Sequence, residues 1–286
     1  MSEVVYLNGQ FMPLANAHVS VLDRGFVFGD GVYEAIPVYS GHPFRLPEHL
    51  RRLANSLAAI RLTNPFSDAQ WTGLVHEMVT RNAGDDQLVY LQVTRGAAKR
   101  DHAFPQGVAP TVFMMSNPLM TPAADQVATG VRCISAVDYR WLRCDVKSIS
   151  LLANCLMRQL AVDAAATEVI MFRDGQLTEA SASNVFAVRN GVLLAPPKGR
   201  LILPGVTYDV VLELARENDI ACDVRDVSED EVRSADEIWL TSSTKEVLAV
   251  VELDGKPVGT GHPGELVRRM YRLYQDYKRT VMRHAA

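Results

Sequence analysis

Only six of the chain's 29 basic residues are lysines, and no run of Lys and Arg occurs anywhere in its 286 residues. With 33 acidic residues the formal charge is −4, so no positive field is available to hold a polyanion. Nucleic acid is thereby excluded as the main partner. Long apolar runs are also missing. The stretch Ile149 to Met157 is broken by Ser150 and Asn154 and falls short of the ~20 residues that span a bilayer. The opening Met-Ser-Glu-Val-Val-Tyr has neither the cationic nor the apolar part of a leader, so neither secretion nor membrane insertion is expected and the protein is placed in the cytoplasm. Cys133, Cys144, Cys155 and Cys222 form no CxxC pair and predict reduced core thiols, without disulfides or zinc. Gly25, Gly29 and Gly31 do not have GxGxxG spacing and no GK[ST] follows them, while the GxSxG elbow, paired histidine ligands and carboxylate clusters are absent. Those glycines therefore support no dinucleotide site, and P-loop, serine-hydrolase and metal chemistry lack a motif.

What is present describes a folded chain. Apolar residues make up 48% and charged residues 22%, the balance of globular proteins, and the length suits one large domain or two ordinary ones. Asn8-Gly9, Asp174-Gly175, Asn190-Gly191 and Asp254-Gly255 each lie between β-rich segments and predict four hairpins. Leu46, Leu50, Leu53, Leu57 and Ile60 recur at helical spacing, as do Leu152, Cys155, Leu156 and Leu160. Strands are expected over 88–95, 111–116, 185–188 and 237–240. They do not alternate with the helices in a βαβ rhythm, so the fold class reads as α+β. The prolines of Asn117-Pro-Leu-Met-Thr-Pro122 mark a linker over 118–122, dividing a first domain, 1–117, from a second, 123–286. A ligand is expected in the crevice between them.

Several residues are placed to carry chemistry, each with a plainer alternative. Gly25, Gly29 and Gly31 form a tight turn feeding a strand over 32–39. Lys147 stands at the mouth of an apolar helix, where burial would make its amine a nucleophile; a solvated helix-start lysine is the alternative. Glu179 precedes Ala-Ser-Ala-Ser-Asn, whose small residues allow close approach of a ligand; otherwise it is an edge-strand glutamate. Thr207 caps a helix, with or without an anion at its free N–H groups. Thr241-Ser242-Ser243-Thr244 offers hydroxyls at a strand end, for phosphate or as an ordinary loop. Arg52 sits beside the leucine stripe, functional or solvated. Arg100 and His102, two apart in an extended loop, are able to grip one carboxylate, or form a solvated basic loop.

Taken in order, these segments resemble the fold-type IV aminotransferases that use pyridoxal 5′-phosphate, and within them the D-amino acid aminotransferases. The resemblance covers nearly the whole chain. It is carried by Tyr6-Leu-Asn-Gly, by Val21-Leu-Asp-Arg-Gly-Phe-Val-Phe-Gly-Asp-Gly-Val-Tyr-Glu, and by Val93-Thr-Arg-Gly. Arg140-Trp-Leu-Arg-Cys-Asp-Val-Lys-Ser and Thr178-Glu-Ala-Ser-Ala-Ser-Asn-Val-Phe complete it.

The resemblance implies a two-domain α+β fold with mixed, antiparallel-rich sheets. It implies that Lys147 is the Schiff-base lysine and the acid/base that moves the α-proton, and that Glu179 partners the pyridine nitrogen. Arg52, the Val206 and Thr207 N–H groups and Ser243 would hold the phosphate. Tyr33, Arg100 and His102 would trap the substrate carboxylate, with the Arg and His loop supplied by the second subunit of a homodimer whose active sites lie near the subunit interface. The activity implied is amino-group transfer between a D-amino acid such as D-alanine and a 2-oxo acid such as 2-oxoglutarate. A branched-chain L-amino acid aminotransferase, an aminodeoxychorismate lyase and a non-catalytic cofactor carrier are the alternatives. Two departures stand out. Ala182 interrupts a run of three serines, which alters hydrogen bonding near the cofactor. Lys99 replaces a proline, which changes loop rigidity or acidic-substrate preference.

Overall fold

The computed structural model describes residues 3–284; Met1 and Ser2, which open the segment read for a leader, and the last two residues lie outside them. The fold is α+β, in two compact units. The first comprises the described residues of Met1–Leu119, Val146–Leu151 and Val281–Ala286; the second comprises Met120–Asp145 and Leu152–Thr280.

The first unit runs β1 (Val4–Leu7), β2 (Gln10–Pro13), α1 (Arg24–Phe28), β3 (Gly31–Tyr39), β4 (His42–Pro43), α2 (Leu46–Ala59), α3 (Asp68–Arg81), β5 (Gln87–Thr94) and β6 (Thr111–Pro118). Its six strands pair antiparallel in the order β2-β1-β6-β5-β3-β4. Leu46, Leu50, Leu53 and Leu57 of α2 and Trp71, Val75 and Met78 of α3 are buried against Val32, Ile36, Val89, Leu91 and Met114 of the sheet. The leucine stripe is thus the core face of α2. Along β3 the side chains alternate, so Val32, Glu34, Ile36 and Val38 share one face while Tyr33 and Ala35 point the other way.

The second unit contains α4 (Ala124–Thr129), β7 (Val131–Val137), α5 (Leu152–Asp163), β8 (Glu168–Arg173), β9 (Gln176–Ala180), β10 (Asn184–Arg189), β11 (Val192–Ala195), α6 (Val206–Glu217), β12 (Cys222–Val224), α7 (Glu229–Arg233), β13 (Glu237–Ser242), β14 (Glu246–Leu253), β15 (Lys256–Pro257) and α8 (Glu265–Tyr277). Its sheet is ordered β12-β11-β10-β13-β14-β7-β8-β9, with β15 on β14. It is mixed: β7 pairs parallel with both β8 and β14, and β11 with β12, while the hairpins are antiparallel. All four predicted hairpins form, with both residues of each Asn-Gly or Asp-Gly pair at positive φ, as a two-residue turn of matching twist requires.

Three differences from expectation have simple physical causes. The chain first passes between units at Leu119, inside the predicted linker, although Pro118 still belongs to β6. It returns to the first unit twice: Val146–Leu151 lies along β3, and Arg283 donates two hydrogen bonds to Asp86, at 2.8 and 2.6 Å. Lys147 is not at a helix start, because α5 begins only at Leu152. The apolar stripe of α5 faces outward: Leu152, Leu156 and Leu160 are exposed, while Met157 and Ala161 pack on Val169 and Met171. Cys155, on the same helix, is exposed and so is not a core thiol.

Candidate active site

Lys147 is held by the first unit. Its N–H donates to Ser56 Oγ of α2 at 3.1 Å, its carbonyl accepts from the Tyr33 N–H at 2.9 Å, and Ser148 bridges Val32. The segment therefore runs as an irregular extra strand beside β3. Its amine lies 4.1 Å from the centroid of the Tyr33 ring, which stacks on Tyr90. Lys147 and Tyr33 are thus brought together, on the β3 face opposite the leucine core.

On the core face, Glu34 is fully buried between Val32 and Ile36, where an unpartnered carboxylate would be prohibitive. Two residues of α2 answer it. Arg52 donates from Nε and Nη2 at 2.8 and 2.7 Å, and His49 Nδ1 lies 2.8 Å from Glu34 Oε2. The fork fixes the plane of the Arg52 guanidinium, so Arg52 is not a solvated face residue. Burial pushes the Glu34 carboxyl up, but the Arg52 charge and bonds, with His49, hold it well below the usual carboxylate range. Burial lowers the His49 imidazole; Glu34 opposes this, the Arg52 and Lys147 charges reinforce it, and the net shift is downward. His49 is then neutral, with its Nδ1 proton directed to Glu34 by the bonding pattern. Its buried Nε2 has no hydrogen-bond partner among the described residues.

The sign of the pH dependence follows. As pH falls, the unfolded chain protonates His49 near ~6.5, before the folded chain does. The unfolded state binds more protons in that window, so stability declines with falling pH, at no more than ~1.4 kcal/mol per pH unit from this residue. Glu34 acts in the same direction lower down, its contribution being present above the ordinary glutamate range and lost as pH falls through its depressed folded value. Melting temperature is therefore expected to drop between about pH 7 and 5, and His49→Gln to flatten that slope. An unchanged slope in the variant would dismiss the buried neutral imidazole.

The second unit gathers the other candidates. Glu179, near the end of β9, is buried and accepts from Arg140 Nη1 at 2.5 Å, the Leu203 N–H at 3.0 Å and Asn184 Nδ2 at 3.2 Å. Arg140 also grips Asp138 with Nε and Nη2, at 2.9 and 2.8 Å. Burial drives the Glu179 carboxyl up against the pull of Arg140 and the Leu203 N–H. Asn184 donates as well to the Leu203 carbonyl at 2.9 Å, and a Cβ on Gly205 would collide with its Oδ1. Gly205 is the N-cap of α6 and gives no side-chain cap; Thr207 is the second helical residue, not the cap. The N–H groups of Val206 and Thr207 consequently have no partner within the helix.

Thr241 stands directly opposite Asn184 across β10 and β13, and Ser243 follows in the turn after β13. The buried hydroxyls of Thr241 and Ser183 lack a hydrogen-bond partner among the described residues. An uncapped helix start, unspent buried hydroxyls and a donor-encircled carboxylate fit a ligand that carries a phosphate and a protonated ring nitrogen.

Arg100 and His102 are exposed in the loop after β5 and gather at Phe28, 5.1 Å from guanidinium to ring centroid and 5.4 Å between ring centroids. Neither bonds to Tyr33 or Lys147 among the described residues. Sequence reasoning missed Glu34, His49, Asp138, Arg140 and Asn184 as individual contributors. The only local signals were the i, i+3 spacing of His49 and Arg52 and the i, i+2 spacing of Asp138 and Arg140. Among the described residues there is no group of three or more potential metal ligands, and no helix long and apolar enough to cross a membrane.

A family model described as amino-transferase class IV matches residues 31–253. The chain belongs to this family. It is 41% identical over 272 residues to a D-alanine aminotransferase of Bacillus licheniformis, covering 95% of this chain and 96% of that protein. It is 37% identical over 276 residues to a D-alanine aminotransferase of Staphylococcus aureus (strain MSSA476), covering 96% and 98%. A solved branched-chain amino acid aminotransferase from T.th., with pyridoxamine 5′-phosphate, superposes with a TM-score of 0.91 at 26% identity, over 99% of this chain and 96% of that one.

Proposed function

We propose that this class IV aminotransferase exchanges an amino group between a D-amino acid such as D-alanine and a 2-oxo acid such as 2-oxoglutarate, as a cytoplasmic homodimer using pyridoxal 5′-phosphate. The observation that carries the substrate class is the 41% identity, over nearly full length, to a protein named as a D-alanine aminotransferase. When bound, the cofactor supplies an aldehyde that links covalently to amines and a ring that accepts the electrons released when the substrate's α-C–H bond breaks. Lys147 would anchor that aldehyde and would carry the α-proton on its amine. The Glu179 carboxylate, braced by Arg140, Asn184 and the Leu203 N–H, keeps a proton on the pyridine nitrogen. Arg52, Ser243 and the Val206 and Thr207 N–H groups hold the phosphate and do no chemistry. Tyr33, with Arg100 and His102 from the second subunit, holds the substrate carboxylate.

The deciding experiment is a half-reaction: D-alanine is expected to bleach the yellow holoenzyme and L-alanine to leave it coloured. Bleaching by L-leucine without bleaching by D-alanine would instead identify a branched-chain enzyme.

The outward leucine stripe of α5 supports self-association. Leu152 is 74% exposed, Leu156 49% and Leu160 44%, a contiguous apolar face at i, i+4, i+8. Leu156→Glu is expected to shift the protein from dimer to monomer in sedimentation; an intact dimer would move the interface elsewhere.

A further inference from the structure

Residues 95–110 contain no helix or strand, yet they carry Arg100 and His102. Three backbone carbonyls at the centre of this loop bond to one buried side chain. Arg24, 4% exposed, donates from Nη1 to the carbonyls of Asp101 at 2.5 Å and Ala103 at 3.3 Å, and from Nη2 to that of His102 at 3.5 Å. Three successive carbonyls thus converge on one guanidinium. The Arg24 carbon lies 4.7 Å from the Phe28 centroid, the same ring that meets Arg100 and His102, and 6.0 Å from that of Phe104.

Arg24 is itself held. Its Nε donates to Asp30 Oδ2 at 2.8 Å, and its N–H donates to the Gly96 carbonyl at 2.9 Å. Asp30 is shared with Arg95, which donates to both its oxygens, at 2.8 and 3.0 Å, and also to the carbonyls of Ile60 and Arg61 just beyond α2. Burial raises the Asp30 carboxyl, but the bonds from Arg95 and Arg24 outweigh it and keep the group ionised. The chain of contacts therefore runs from the end of the helix carrying Arg52, through Arg95, Asp30 and Arg24, to the backbone on either side of His102.

We infer that Arg24 is a positioning residue for substrate carboxylate recognition: it touches neither substrate nor cofactor, but fixes the backbone from which Arg100 and His102 project. The inference rests on the proposed role of those two residues. A side chain placed by a preordered loop spends less binding energy on ordering than one on a mobile loop, so loss of the anchor weakens ground-state binding first.

Arg24→Met removes the fork while Arg95 still neutralises Asp30. Arg24→Lys keeps a cation beside Asp30 but offers no planar fork to span three carbonyls. On the holoenzyme, Arg24→Met is expected to raise the KM for D-alanine about tenfold or more with kcat within about threefold, and Arg24→Lys to fall between it and the parent. Hydrogen exchange of the 99–104 amides is expected to accelerate in step, with cofactor affinity unchanged. Unaltered exchange or an unaltered KM in Arg24→Met would overturn the inference, as would a joint loss of kcat and cofactor affinity, which marks a general structural role. Arg100→Ala separates the two readings, because it is expected to raise KM with native loop exchange. If Arg100→Ala leaves KM untouched, the carboxylate assignment fails and the substrate half of the inference fails with it, while loop exchange in Arg24→Met still decides whether the anchor exists.

Discussion

Lys147→Ala is expected to reduce amino-group exchange with D-alanine by ~10³-fold or more, since in the proposed mechanism one deletion removes both the covalent anchor and the proton carrier. The variant should fold. The segment is tied to α2 and β3 by the Lys147 N–H and carbonyl, neither of which the substitution touches. Melting temperature close to the parent's, together with lost turnover, separates a chemical role from a structural one. Borohydride treatment of the parent holoenzyme followed by peptide mapping is expected to leave the phosphopyridoxyl group on the peptide containing Lys147. A tag on Lys245, Lys198 or any other lysine would displace Lys147 from the mechanism.

The second large effect is expected at Arg140, which no motif argument singled out for a role. Asp138 and Glu179 both lean on its guanidinium, and their side chains are 0% and 7% exposed. Arg140→Met leaves two buried carboxylates competing for what remains, Asp138 with Arg173 at 3.0 Å and Glu179 with two neutral donors. Removing one member of a buried ion cluster costs ~3–5 kcal/mol, a fall in melting temperature of roughly 10 °C for a chain of this size. Without Arg140, the burial that raises the Glu179 carboxyl is opposed less, which weakens its hold on a ring-nitrogen proton. Cofactor titration should accordingly show weakened binding even at temperatures where the variant is folded. A variant that melts near the parent and binds the cofactor normally would show that Asn184 and the Leu203 N–H suffice to brace Glu179.

What could be read from the sequence was mostly local. Asn-Gly and Asp-Gly turns determine their own dihedrals, so the four hairpins were legible, and the leucines of α2 announced a core helix through their spacing. On α5 the same rule gave the helix and no more, because periodicity reveals that a helix has an apolar face without revealing which way the face is turned. Lys147 was picked out by scarcity and resemblance, but its surroundings were misjudged: the extended conformation comes from pairing with β3, more than a hundred positions earlier. Glu34 illustrates the general obstacle. In a strand reading Val-Tyr-Glu-Ala-Ile it looks like an outward residue, and only the approach of His49 and Arg52 from α2 makes an inward carboxylate tolerable. Pairings of this kind depend on elements meeting in space, which single-sequence patterns do not encode.

The two late returns of the chain to the first unit bear on how the protein is made. Ser56 accepts from a residue 91 positions downstream, and Asp86 from one 197 positions downstream. A nascent chain leaving the ribosome can pair β1 to β6 early, but Lys147 docks beside β3 only after residue 147 has emerged, and the ion pair to Asp86 forms only once Arg283 has. Truncating the gene at Leu119 would therefore yield a sheet stripped of its lysine, and an expression fragment meant to isolate the first unit would have to bring the 146–151 strand and the tail with it, grafted or supplied as peptides.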